Sequence, residues 1–293
     1  MTAEQKEKTR RRASLRGISR SILPGMKETA EDIVRHATAA FNSGQSDRAR
    51  KFCEEGLASL PGEPMLHHLL AAVLFSKGEL QPARSHVETS LANRPDNAAA
   101  HLLAARIARA SKDFDGALSH LDRAIAVAPQ REAFLEKART LDQAGFRNQA
   151  REAWRAILEV VPGSQEAAAR LGRLAWEDGD HADAVTLLER AVASKAPASA
   201  WFDLGLVRQD LRDYANAAAA YRKALEIKSD FAEAALNLGI VLQESGDIDN
   251  AMRAYAKAYR LRPQMFGTIA MALTSASHGR LWTDEAALRR SLA

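Results

Sequence analysis

Trp201-Phe202-Asp203-Leu204-Gly205, followed by Tyr214, Ala217, Tyr221 and Ala224, is the stretch that decides the fold. Shifted by 34 residues it returns as Leu238-Gly239, Ile248, Ala251, Tyr255 and Ala258, closed by Pro263. The core of the pattern is a small residue, a bulky one four later and a small one three after that. Upstream it continues as Ala184-Leu188-Ala191, Ala150-Trp154-Ile157, Ala117-Leu121-Ala124, Ala83-Val87-Ser90 and Ala49-Cys53-Gly56. Recurrence at a fixed period is the signature of a repeat architecture.

The frame divides the chain into seven repeats, 30–63, 64–97, 98–130, 131–164, 165–197, 198–231 and 232–265, which fill residues 30–265 without a gap. A proline closes five of them: Pro61, Pro95, Pro129, Pro162 and Pro263. Each repeat predicts two helices of about 12–14 residues. Gly44, Gly78, Gly145, Gly179 or Gly246 marks the break between them, because glycine supplies the left-handed turn that ends a helix. Proline stops the second helix because it lacks an N–H and clashes with the preceding turn. One hairpin cannot bury its apolar face alone, so the repeats must stack. The expected fold is all-α, a right-handed α-α superhelix of tandem helix-turn-helix repeats with a C-terminal capping helix.

The pattern closely resembles the tetratricopeptide repeat: Trp/Leu-Gly in the first helix, Ala…Tyr…Ala in the second, then Pro. Ile33, His67, His101, Phe134 and Ala168 stand where that family favours tryptophan, substitutions that alter packing and leave the architecture standing.

Composition agrees with a helical, soluble chain. It is 46% hydrophobic, enough for a core, and only 6% aromatic, which with abundant alanine favours close-packed helices over sheets. The single cysteine, Cys53, excludes an internal disulfide and a cysteine zinc cluster. No apolar run approaches the ~18–20 residues of a membrane span, and no apolar segment follows the charged N-terminus as a secretory signal requires. A cytoplasmic location is expected. The Ala- and Arg-rich usage points to a GC-rich bacterial genome.

Charge is concentrated at the N-terminus. Residues 1–29 carry Lys6, Lys8, Arg10, Arg11, Arg12, Arg16, Arg20 and Lys27 against Glu4, Glu7 and Glu28, so this arm is +5 of a total +4. The remainder is therefore −1 and has no net positive charge to draw it to nucleic acid. The arm reads as a solvated basic tail; contact with nucleic acid or an anionic membrane through it is the alternative function. At the other end, residues 266–293 predict a capping helix from Phe266 to His278. A short second helix follows, with Thr283 as N-cap, Asp284 and Glu285 in its first turn, and Trp282 packed back on the cap.

The resemblance implies a concave wall lined by first helices, where family members hold an extended peptide or helix. In the repeat frame Arg106, Arg139 and Arg173 share the ninth position of three successive repeats, with Arg109 and Arg170 nearby. Such a row predicts forked pairing with carboxylates of an acidic partner segment. It equally allows self-neutralisation, through Glu166–Arg170, Arg173–Glu177 and Arg139–Asp142 at helix-surface spacing. Phe41, Phe75 and Phe202 are candidate aromatic anchors, and Asn237 matches the family's asparagine that hydrogen-bonds a ligand backbone.

His67 and His101 share one repeat position and His86 and His120 another, but no carboxylate or thiol completes a metal set at ligand spacing. They read as packing or surface histidines. No Gly-rich phosphate loop, His-Glu-x-x-His pattern or nucleophile elbow is present. Little chain remains outside the repeats to house catalysis. The expected function is a non-catalytic, cofactor-free scaffold that binds a partner protein in the groove.

Overall fold

The computed structural model of the chain describes residues 29–275 and 285–292, and these are helical with no strand among them. The chain divides into two compact units at Ala128/Pro129. The N-terminal unit holds three hairpins: α1 (Ala30–Asn42) with α2 (Ser46–Ser59), α3 (Pro64–Ser76) with α4 (Leu80–Asn93), and α5 (Ala98–Ala110) with α6 (Phe114–Val127). The C-terminal unit holds four: α7 (Arg131–Gln143) with α8 (Arg147–Val160), α9 (Gln165–Glu177) with α10 (His181–Val192), α11 (Ala198–Asp210) with α12 (Tyr214–Ile227), and α13 (Ala232–Glu244) with α14 (Ile248–Leu261). A 3₁₀ turn (Pro263–Met265), α15 (Phe266–Ser275) and α16 (Glu285–Leu292) complete it. The expectations for the basic arm up to residue 28, and for Trp282, Thr283 and Asp284, lie outside the described residues.

The hairpin turns follow from backbone chemistry. Gly44, Gly78, Gly145, Gly179 and Gly246 all have φ between 76° and 83°, the left-handed region that glycine enters without a steric penalty. The remaining two turns reach the same region without glycine, at Lys112 (φ 61°) and Arg212 (φ 59°). The next helix is then capped by side chains. Asp113, Asp180, Asp213 and Asp247 each accept from a backbone N–H in the first turn of the following helix. Thr29 and Asp32 cap each other at the start of α1. Five second helices, α2, α4, α6, α8 and α14, end two residues before a proline.

Each second helix buries its repeat triplet against its first helix; in α6, for example, Ala117, Leu121 and Ala124 are its buried residues. Close approach is most severe at Gly205 and Gly239, which lie against the fully buried rings of Tyr221 and Tyr255. Each ring is held at its far end as well. Tyr221 and Tyr255 donate at 2.8 Å to Oε1 of Gln209 and Gln243. In the N-terminal unit Cys53 takes the bulky position of α2 and packs with Ala37, Leu69 and Leu70. Burial, with Glu54 nearby, pushes its thiol up to about 12.

α15 and α16 cover the last hairpin. Ile269, Leu273, Leu288 and Leu292 are buried in one cluster with Tyr255 and Leu242. Arg289 lies over the Phe266 ring, 3.8 Å from its centroid, and donates to the Tyr259 hydroxyl at 3.3 Å.

Candidate functional site

Side chains from α9 and α11, two successive first helices of the C-terminal unit, line a cleft of about 460 Å³. Glu166, Arg170 and Arg173 stand on α9; Ser199 and Asp203 stand on α11, with Pro197 at the rim. The helical rise places residues 166, 170 and 173 on one face of α9, so their head groups converge.

These charges form a ladder between first helices. Arg139, on α7, makes a two-pronged bond to Glu166: Nε to Oε1 and Nη2 to Oε2, both 2.7 Å. Its Nη1 reaches Oε1 of the buried Glu136 at 3.0 Å. The fork to Arg139 holds the Glu166 carboxyl below its usual range, and the same fork drives the Arg139 guanidinium further up. Arg170 lies 3.5 Å from Asp142 of α7. Arg173 lies 3.2 Å from Glu177 and 3.6 Å from Asp203. Burial pulls the Glu177 carboxyl up, but bonds from Arg147 and Arg173 hold it low on balance. Asp203 is buried at the cleft floor; desolvation raises its pKa against the opposing pull of Arg173 and Arg170.

The three C-terminal arginines therefore differ in what they have left to offer. Arg139 is committed to Glu166 and Glu136. Arg170 and Arg173 are 48% and 49% exposed and hold their partners loosely, so they keep N–H groups that a ligand can use. Arg106 and Arg109 lie on α5 of the N-terminal unit, both half-buried. Phe41 and Phe75 are partly buried against that unit's core. Phe202 packs on Tyr221 and Phe231, with ring centroids 5.7 and 4.8 Å away, so its ring works largely within the core. Asn237 reaches the Tyr221 hydroxyl.

Two further positions of the first helices are partly core. The sixth residue of the repeat is buried in four of the seven, as Leu69, Leu103, Glu136 and Asp203. Gln243, in the twelfth position, is 1% exposed and donates to the carbonyls of Ala272 and Leu273, so α15 closes over it. Sequence reasoning misses Trp176, whose indole Nε1 donates to Asp210 at 2.6 Å across the α9–α11 edge of the wall. Its place as twelfth residue of the repeat starting at Gln165 was the available signal.

The cleft presents two half-exposed guanidinium groups, a serine hydroxyl and a buried acid. Among the described residues no three metal-ligating side chains gather, and no helix is long and apolar enough to cross a membrane.

Models of the tetratricopeptide repeat match residues 74–141, 135–200 and 202–266. No curated protein sequence matches the chain. Among solved structures, that of the MamA protein is 26% identical, with a TM-score of 0.50, and covers 57% of this chain and 93% of its own. Pseudomonas aeruginosa pilF is 16% identical with a TM-score of 0.60, covering 68% of this chain and 91% of its own. A tetratricopeptide repeat protein from Parabacteroides merdae is 15% identical with a TM-score of 0.56, covering 79% and 89%. At those identities the last two are similar in fold alone.

Proposed function

Because the chain belongs to the tetratricopeptide repeat family, a family of protein–protein interaction scaffolds, we propose that it acts without catalysis and binds an extended, acidic segment of a partner protein along its first helices. The observation that carries this reading is the α9–α11 cleft, where Arg170 and Arg173 stand half-exposed over a buried Asp203. A partner carboxylate would displace the loose contacts to Asp142 and Glu177 and gain a forked guanidinium bond. A desolvated charged contact is worth about 1.5–3 kcal/mol, against about 0–1 for a solvent-exposed pair, so docking outcompetes the resident partners. Ser199 offers a hydroxyl to the segment's backbone. In the N-terminal unit the same reading assigns Arg106, Arg109, Phe41 and Phe75 to partner contact. In the C-terminal unit it adds Asn237, with Phe202 supporting the wall from behind.

The test uses the full chain and a fluorescent, extended peptide rich in Asp and Glu, read by anisotropy at two salt concentrations. The double reversal Arg170→Glu/Arg173→Glu should weaken binding at least tenfold, since about 1.4 kcal/mol is a factor of ten. It should fold normally, because both side chains reach solvent. Unchanged affinity in a folded double variant removes the cleft from the binding surface.

A further inference from the structure

The N-terminal unit holds one histidine pair twice. His67 on α3 and His86 on α4 bring their Nδ1 atoms to 2.9 Å. One repeat later, His101 on α5 and His120 on α6 do the same at 3.1 Å. In both pairs the buried member places Nε2 at 2.9 Å from a backbone carbonyl of the linker before its helix, Pro61 for His67 and Pro95 for His101. Each pair thus ties together an inter-repeat linker, a first helix and a second helix.

The hydrogens follow from elementary bonding. A carbonyl only accepts, so Nε2 of His67 and His101 carries the hydrogen, and Nδ1 of the same neutral ring is bare. The hydrogen between the two Nδ1 atoms therefore belongs to His86 or His120, whose own Nε2 is bare. A first extra proton goes to that Nε2 and leaves the link standing. A second can go only to Nδ1 of His67 or His101. Two N–H groups would then point at each other between two cationic rings, and the contact cannot survive.

The surroundings do little to support charge there. The first pair faces Arg50 and Glu54 of α2, joined to each other at 2.7 Å. The second faces Arg84 and Glu88 of α4, joined at 2.9 Å, with Arg123 of α6 and Asp96 of the preceding linker. Both glutamates are already matched by an arginine. Burial first, and the partner histidine second, pull His86 and His120 below the ordinary histidine range; burial does the same for His101. His68, also pulled down by burial, adds a separate acid-sensitive background. Among the described residues of the C-terminal unit the one histidine is His181, which lies 3.9 Å from Asp210.

We propose that the two pairs are acid-operated latches: neutral rings hold the α3–α4 and α5–α6 hairpins to their linkers, and uptake of a second proton by a pair releases it and loosens the N-terminal unit. The sign is fixed by linkage. Groups with depressed folded pKa bind more protons when unfolded, so their stabilisation is full above about pH 6.5 and is lost as pH falls. The second latch depends more on its histidines. Around the first, Ser90 also donates to the Pro64 carbonyl and Asn93 to that of Gly62, whereas Ala124 replaces the serine in the next repeat.

Hydrogen exchange on the full chain, corrected for intrinsic rates, tests this at pH 7.2 and 5.5. Protection in the α3–α6 hairpins should fall about tenfold per pH unit for each extra proton bound on opening. The variant His86→Asn/His120→Asn supplies an amide N–H to the same Nδ1 atoms and removes one of the two proton sites of each pair, so its loss of protection between the two pH values should be about half the wild type's on a logarithmic scale. Unchanged wild-type protection between the two pH values, or an equal loss in the variant, overturns the proposal. Should the variant not fold, side-chain nitrogen NMR of the wild type decides. Both rings of a pair carrying charge while the hairpin amides stay protected would sink the latch; opening that coincides with the second protonation would support it.

Discussion

Gly205 and the Tyr221 ring occupy space that admits no β-carbon: one built on Gly205 would stand 2.4 Å from Tyr221 Cε1. Gly205→Ala should therefore destabilise the C-terminal unit by about 1–3 kcal/mol, the cost of overpacking, despite alanine's better helix propensity. Gly267→Ala, near the start of α15 with nothing within 4 Å, should instead be neutral or gain up to about 1 kcal/mol. Urea titrations of the two variants should move in opposite directions or leave only the first displaced.

Lys112 and Arg212 are the counter-case, being side chains where the backbone wants none. Both are exposed and sit at φ near 60° in turns that glycine occupies in the other hairpins. Lys112→Gly and Arg212→Gly should each stabilise by about 0.5–1 kcal/mol, the left-handed strain relieved less the entropy glycine adds to the unfolded chain. Gly78→Ala should lose about 1 kcal/mol or more by the same argument. Thermal midpoints that fall for both glycine variants would contradict it.

Two tyrosine hydroxyls make the same bond in different surroundings. Tyr255 bonds a fully buried Gln243, whereas the Tyr221–Gln209 bond is partly open to solvent. Tyr255→Phe orphans a buried acceptor and should cost about 1–3 kcal/mol; Tyr221→Phe should cost about 0.5–1.5. Equal losses would mean that water reaches Gln243.

The Arg139–Glu166 fork has its own pH signature. Because Glu166 is depressed in the folded state, its contribution is present above the unfolded carboxyl pKa of about 4.3 and is lost as pH falls. Glu166→Gln should cost about 1 kcal/mol near neutrality, a figure kept small by solvent screening. The difference between wild type and variant should close below about pH 4. That range lies well below the histidine range, so the two acid responses are separable in one titration.

Prolines and glycines made the helix breaks legible, because each forbids or permits a particular backbone state. Lys112 and Arg212 were not legible, since nothing about a lysine or arginine marks a left-handed turn. Recurring small residues disclosed the face that each second helix buries. Ion pairing was harder to read. Spacing within one helix suggests Arg139–Asp142 and Glu166–Arg170, yet the chain exchanges these partners and makes Arg139–Glu166 and Arg170–Asp142 across helices. Which of two carboxylates an arginine meets depends on how neighbouring helices lie, and periodicity does not encode that. The histidine pairs show the same limit: their shared repeat positions were visible, but the linker carbonyl that sets each tautomer was not.

Cys53 turns its setting in α2 into a timekeeper. It is the chain's single cysteine, and its sulfur is sealed in the core with its proton firmly held. A thiol reagent meets nothing reactive while the first hairpin is closed. Each labelling event must then record an excursion in which that hairpin comes apart, and the rate at limiting reagent gives the free energy of the excursion. The native chain thus carries one built-in stopwatch at its N-terminal end, needing no engineered probe, against which the breathing of every other hairpin can be compared.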